Sequence, residues 1–258
     1  MNTPAVTPRP ASTTLLVRDG APGLEVLMVR RSLQASFMPG SYVFPGGAVD
    51  AADGEAAAQE SAEVLAERIG RVTETGPAAR AYAVAALREC FEECGLWPGA
   101  PAHADLAPLR ARLHAGESFA ALAAESGLPL ATAELQPWSH WCTPAGMPKR
   151  FDTLFFVARA PAGQEPSVDA GETTALAWVH PPAALQSHAA GGFPMEFATV
   201  RTVESLAPFA AGGVGALLAH AAAQRHLPAL HPRLRRGADG RIVGVLLPGQ
   251  PGYDDAAG

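Results

Sequence analysis

The chain has 258 residues, 48% of them hydrophobic and 17% charged, with a formal net charge of −6. That length buries a core of enzyme size, and no run approaches the roughly 18 apolar residues that a membrane span needs. The lysines and arginines are scattered and outnumbered by acids, so the composition argues against nucleic acid and membrane as partners and for a soluble protein.

In chain order, residues 1–10 are proline-rich and polar without a basic and then apolar leader pattern, and are expected to form a flexible N-terminal segment. Residues 13–17 and 25–30 are β-like runs joined by the turn-rich Asp19, Gly20, Ala21, Pro22 and Gly23, which predicts a hairpin. Tyr42, Val43 and Phe44 form a strand end running into a turn at Gly46 and Gly47, where backbone can approach a ligand closely. From Asp53 a stretch of alanines and glutamates reads as helical as far as Arg68, until Gly70 and Gly76 break it. Thr75 then suits the N-cap of the next helix and Pro77 its first turn.

Beyond that helix, the alanine- and leucine-rich stretch 102–133 predicts two short helices split at Ala115 and Gly116. Strands are expected at 139–143, 153–158 and 176–180, the second a continuous apolar run typical of a strand buried on both faces. Helices at 199–207 and 214–224 and a late strand at 242–247 complete an α/β pattern, a mixed sheet between helices, in one domain over 11–250 with a tail at 251–258. The three cysteines make neither a disulfide framework nor a zinc site, so Cys90 and Cys94 read as small buried residues, and a cytoplasmic location is the expectation. None of the eight histidines shows ligand spacing with partners.

The most informative segment is 88–96. At about 100° per residue, Glu89, Glu92 and Glu93 fall on one side of a helix, with Ala83, Leu87, Cys90 and Cys94 opposite. Three crowded carboxylates repel unless a cation or protons take up their charge. Hard divalent ions, Mg²⁺ or Mn²⁺, take oxygen ligands and bridge carboxylates to phosphates.

Together with Gly46 and Gly47, the run Arg88-Glu89-Cys90-Phe91-Glu92-Glu93-Cys94-Gly95-Leu96 resembles the Nudix box, G-x5-E-x7-R-E-U-x-E-E-x-G-U, with U aliphatic. The resemblance implies a Nudix α/β/α sandwich with a mixed sheet, enlarged by helices from an insertion at about 51–75 and from the C-terminal third. It further implies hydrolysis of a nucleoside diphosphate linked to another moiety. Glu89, Glu92 and Glu93 would hold the metal with the Gly47 carbonyl as a further ligand, and Arg88 would orient a box glutamate. The general base would be a box glutamate or Glu172, which precedes the 176–180 strand. Two departures stand out: about 27 extra residues separate Gly47 from Arg88, and Arg80 occupies the place, eight residues before Arg88, of the early glutamate that braces the loop.

The preceding run, Leu27-Met28-Val29-Arg30-Arg31-Ser32, then Gly40, then Phe44-Pro45-Gly46-Gly47, is similar to L-L-T-x-R-S-x3-R-x3-G-x3-F-P-G-G of the coenzyme A diphosphatases. Met28 and Val29 replace Leu and Thr, and Ser36 stands where that motif has arginine, removing a bidentate phosphate contact. The long insertion, Trp141-Cys142-Thr143-Pro144, Arg150-Phe151-Asp152-Thr153 and Leu247-Pro248-Gly249 look like the branch of that group with a split box. The resemblance implies a CoA or acyl-CoA substrate giving 3′,5′-ADP and (acyl-)4′-phosphopantetheine. Arg31, Arg150, Gly46 and Gly47 are then candidate substrate contacts, and Trp141 and Phe151 candidate stacking surfaces. ADP-ribose, NADH or dinucleoside polyphosphates are the alternative substrates, a non-catalytic nucleotide-sensing module is the alternative class, and a homodimer stays open.

Overall fold

The computed structural model describes residues 6–34, 38–169 and 173–256. Its centre is a seven-stranded mixed sheet. β1 (Arg9–Gly20) and β2 (Gly23–Arg31) form the expected hairpin, paired from Gly20↔Gly23 to Val17↔Val26. The two strands then separate. The edge of β1 released by that split is taken by β4 (Gly46–Ala48) and that of β2 by β3 (Tyr42–Val43), so the segment between them forms a wedge in the sheet. Gly46 and Gly47, expected in a turn, are therefore strand residues facing Thr13 and Ser12.

The chain next forms α1 (Ala51–Glu55), α2 (Ala62–Leu65), a π-helical turn at Ala66–Gly70 and α3 (Arg71–Thr73), then the long α4 (Ala79–Cys94). The insertion is thus helical but broken, and Thr75 does not cap α4: its hydroxyl lies 2.8 Å from that of Thr73, and a 3₁₀ turn at Gly76–Ala78 leads into the helix. Arg68 pairs with Glu60 at 2.6 Å and donates to the carbonyls of Thr132 and Leu135, which docks the insertion on the chain ahead of the next strand.

The predicted helix pair is α5 (Ala107–His114) and α6 (Phe119–Ser126). β5 (Gln136–Cys142), β6 (Phe151–Arg159) and β7 (Thr173–Val179) complete the sheet, with β6 parallel to β1 and β7 on the outer edge of β2. α7 (Pro181–Ala189), α8 (Phe197–Leu206), α9 (Gly213–Ala222) and a hairpin of β8 (Arg233–Arg236) and β9 (Ile242–Leu246) follow. Among the described residues no single helix is long and apolar enough to cross a membrane.

Strand alternation sorts the core into two layers. Leu16, Leu27, Leu154 and Phe156 face α4, Trp97 and the insertion residues Leu65 and Ile69, whereas Leu15, Val17, Val26 and Phe155 face Val203, Leu206, Val214 and Leu217 of α8 and α9. The apolar run in β6 is buried because it serves both layers. Cys90 and Cys94 are buried free thiols on the core side of α4, as their spacing predicts, and Trp141 is a core residue set edge-on to Phe197. The α4 residues Ala79, Ala83 and Ala86 let the helix come close to the sheet, and two fully buried hydroxyls lock it there: Ser12 Oγ donates to the Tyr82 carbonyl at 2.6 Å and Thr14 Oγ1 to that of Ala86 at 3.0 Å. This packing presents the far side of α4 to the β4 wedge.

Candidate active site

The three box glutamates lie along that side of α4 in different surroundings. Glu93 is buried, and its Oε2 accepts the Gly46 N–H at 3.0 Å. Glu89 is 13% exposed and Glu92 38% exposed. Gly47 lies so near that a Cβ built on it would stand 2.5 Å from Glu89 Oε1, and one on Gly46 would meet the Ser12 carbonyl at 2.4 Å. Both glycines are required by close approach, the first to carboxylate and the second to backbone.

Burial pushes the Glu89 carboxyl up to about 7, and neighbouring Arg88 only partly opposes it. Arg88 is itself 11% exposed, yet it is fully partnered: Nη1 reaches Glu89 at 2.8 Å and Glu92 at 3.4 Å, and Nη2 donates to the Ala48 carbonyl at 2.8 Å. Its Nε and Nη2 also hold the two carboxylate oxygens of Asp53, each at 3.0 Å. Burial works against the Arg88 charge, but the bonds and charges of Asp53 and Glu89 more than offset it and hold the guanidinium above its usual range.

Asp53 corrects the reading of the box. Counting back from Arg88 places Arg80 at the early acid, but counting forward from Gly47 through five residues arrives at Asp53. The structure sides with the forward count: Asp53 is 3% exposed, accepts the Asp50 N–H at 2.8 Å and forks onto Arg88. The bracing acid is present as aspartate, and the extra residues lie between it and α4.

Among the described residues no three histidine, cysteine, aspartate or glutamate side chains are gathered into a metal-holding group. Arg88 draws Glu89 and Glu92 sideways and Gly46 draws Glu93. The donor set still suits a hard divalent ion: it is all oxygen, it includes a buried carboxyl whose desolvation a cation would relieve, and it faces a glycine cradle that a Cβ would fill.

The other expected site residues fare unevenly. Arg31 lies at the β2–β7 bulge, in register with Thr173 where the chain returns to the sheet. Arg150 is spent locally, donating to the carbonyls of Thr143 at 3.0 Å and Val6 at 2.7 Å, so it holds the segment ahead of β1 and is not gathered with the carboxylates. Glu172 and Ser36 lie outside the described residues.

Two contacts had no sequence signal. Arg110 donates Nε and Nη2 to the Glu92 carbonyl at 3.0 and 2.8 Å, and the His114 ring lies 3.1 Å from the same oxygen. His140, 5% exposed, sits 2.6 Å from Asp152 and holds its carboxyl below the usual range, and Asp152 also accepts the Tyr82 hydroxyl at 3.2 Å, which ties α4 to β6.

No family model matches the chain. A crystal structure of a NUDIX hydrolase from Alicyclobacillus acidocaldarius superposes on it with a TM-score of 0.65 at 31% identity, covering 80% of this chain and 94% of that one. The chain belongs to the Nudix hydrolases. Within that family it is similar to the acyl-coenzyme A diphosphatase NUDT19 of Gallus gallus, 29% identical over 239 residues, covering 68% of this chain and 62% of the relative. The Homo sapiens counterpart is 30% identical over 212 residues, with 65% and 56% covered. This Nudix chain therefore stands near the CoA diphosphatase branch and spans between about half and six-tenths of the length of the curated relatives it matches.

Proposed function

We propose that the protein is a divalent-metal-dependent pyrophosphohydrolase whose substrate is CoA or an acyl-CoA, cleaved to 3′,5′-ADP and (acyl-)4′-phosphopantetheine. The observation that carries this reading is the α4 carboxylate row, braced by the Arg88–Asp53 fork against the Gly46–Ala48 strand, in a chain akin to acyl-CoA diphosphatases. Retention of all three box glutamates favours an enzyme over a sensing module, which has no reason to bear their repulsion.

A phosphoanhydride resists water because its oxygens repel an incoming nucleophile, so the site must place positive charge and orient the attack. Glu89, Glu92, Glu93 and the Gly47 carbonyl would hold Mg²⁺ or Mn²⁺. A bound divalent ion supplies neutralisation of the phosphate oxygens and acidification of the attacking water. Arg88 fixes the Glu89 and Glu92 carboxylates through Nη1, which limits their motion as charge develops. A box glutamate or Glu172 is the candidate base that receives the proton of the attacking water. The water oxygen joins phosphorus, the bridging P–O bond breaks, and the leaving phosphate departs as the anion.

The test incubates the protein and its Glu93→Gln variant, with Mg²⁺ or Mn²⁺, against CoA, acetyl-CoA, ADP-ribose, NADH and diadenosine polyphosphates, with products weighed by mass spectrometry. We expect 3′,5′-ADP from CoA, and a loss of about 10²-fold or more in kcat for the variant with its circular dichroism unchanged. Cleavage of another substrate with CoA untouched would overturn the CoA reading. Tight nucleotide binding with no turnover of any would support the sensing module instead.

A further inference from the structure

A cleft of about 510 Å³ opens where α4 ends, between α5 and residues 163–169. That volume falls in the range of small-molecule sites, roughly 300–1,000 Å³. Its floor is built on Gly95, which ends α4 at φ 69° and on which a Cβ would stand 3.1 Å from both Arg110 Nη1 and Ser167 Oγ. Arg110 Nη1 donates to Ser167 Oγ at 2.8 Å and the Ser167 N–H to the Cys94 carbonyl at 3.0 Å, so helix end, α5 and the β6–β7 connection meet there. Gly95 follows Glu92 by about 5 Å of helix rise, and the lining residues Arg110 and His114 both reach the Glu92 carbonyl, so the cleft begins at the end of the helix that carries the carboxylate row.

The lining decides what can enter. Glu165 and Asp169 stand against one guanidinium, Arg110, whose N–H groups already serve Glu92, Ser167 and Val168. Negative charge in surplus repels a phosphorylated group. Ala107 and Ala111 lie one turn apart on α5, and with the 40% exposed Val168 they form a narrow apolar strip in a lining otherwise made polar by His114, Gln164 and Ser167 beside the charged groups. An uncharged, chain-like, amide-bearing group suits such a surface.

CoA has one end rich in phosphate and one neutral arm. Resting on the CoA reading above, we infer that this cleft receives the pantetheine arm and its acyl tail, while the 3′-phosphorylated adenosine lies outside it. Ala107 and Ala111 then set how much arm and acyl chain can be accommodated, which makes them specificity determinants.

Both alanines are solvent-exposed on α5, so an indole there fills the cleft without disturbing a core. Wild type, Ala107→Trp and Ala111→Trp are to be compared for hydrolysis of CoA, acetyl-CoA and longer acyl-CoAs, and for calorimetric binding of 4′-phosphopantetheine and of 3′,5′-ADP with Mg²⁺ present. The expected result is a rise of about tenfold or more in KM for CoA, steeper with acyl length, with 4′-phosphopantetheine binding weakened in parallel and 3′,5′-ADP binding unchanged within twofold. If wild type cleaves CoA and both tryptophan variants match it, or if 3′,5′-ADP binding is what falls, the cleft assignment is overturned and the CoA reading stands. If wild type cleaves other nucleotides and no pantetheine-bearing substrate, both fall together.

Discussion

Two arginines hold the carboxylate helix, one within it and one beyond its end, and they do so by different physics. Arg88 is nearly enclosed and its partners are mainly carboxylates, with Asp53 taking Nε and Nη2, Glu89 and Glu92 sharing Nη1, and the Ala48 carbonyl the one main-chain acceptor seen for it. Arg110 is more open, and the partners seen for it are backbone carbonyls and a hydroxyl. A charge withdrawn from water needs an opposite charge at hydrogen-bond distance, whereas a half-solvated one can serve the orphan carbonyls and negative dipole end of a helix. The first arrangement fixes where the glutamates point, and the second fixes where the helix stops and the cleft begins.

The comparison breaks first at Asp53. Asp53→Ala leaves the Arg88 charge buried without its fork, and we expect about 3–5 kcal/mol of lost stability in urea unfolding, with turnover falling alongside. A loss no larger than that of an Arg110 variant would mean that the two arginines do not differ as described.

A second, smaller effect follows from Glu89. Its folded carboxyl binds a proton up to about pH 7 against an ordinary value of 4.5, so the metal-free folded state holds more protons than the unfolded chain in between. Stability measured in a chelator should then be highest below about pH 4.5 for this group and decline as pH rises through about 7, by on the order of 3 kcal/mol at most. Mg²⁺ should flatten the decline by replacing the proton; unfolding curves at pH 5 and 8, with and without the ion, check this. Equal curves in chelator and in Mg²⁺ would count against Glu89 as a ligand.

The smallest effect belongs to the open arginine. Arg110→Ala should cost about 1 kcal/mol and speed amide exchange at Gly95 and Ser167, leaving exchange within α4 ahead of Glu92 unchanged. Exchange quickened along the whole helix would give Arg110 the bracing role assigned to Arg88.

Most of the sheet was legible in sequence because its strands are apolar runs with turn signals between them, and α4 because its core and acid sides separate cleanly. What escaped lacked those signals. β8 (Arg233–Arg236) carries three arginines and one buried leucine, so no alternation marks it, and α7 (Pro181–Ala189) opens on two prolines with little periodic contrast. The bracing acid was readable by counting from Gly47 as well as from Arg88, since a loop insertion preserves spacing on each side of itself but not across. Arg110 could not have been found, because its partner is a main-chain oxygen 18 residues away and a carbonyl leaves no mark in the side-chain alphabet.

The Asp53–Arg88 fork has a topological consequence. By joining residues 35 apart in sequence, it turns everything between them into a closed loop whose ends are fixed by the fold. The entropy of closing such a loop grows only with the logarithm of its length, about 0.6 kcal/mol for each doubling. A lineage could therefore thread helices into this interval while Glu89, Glu92 and Glu93 kept their register, because the clasp, not the number of residues looped out, sets where the carboxylate helix lies.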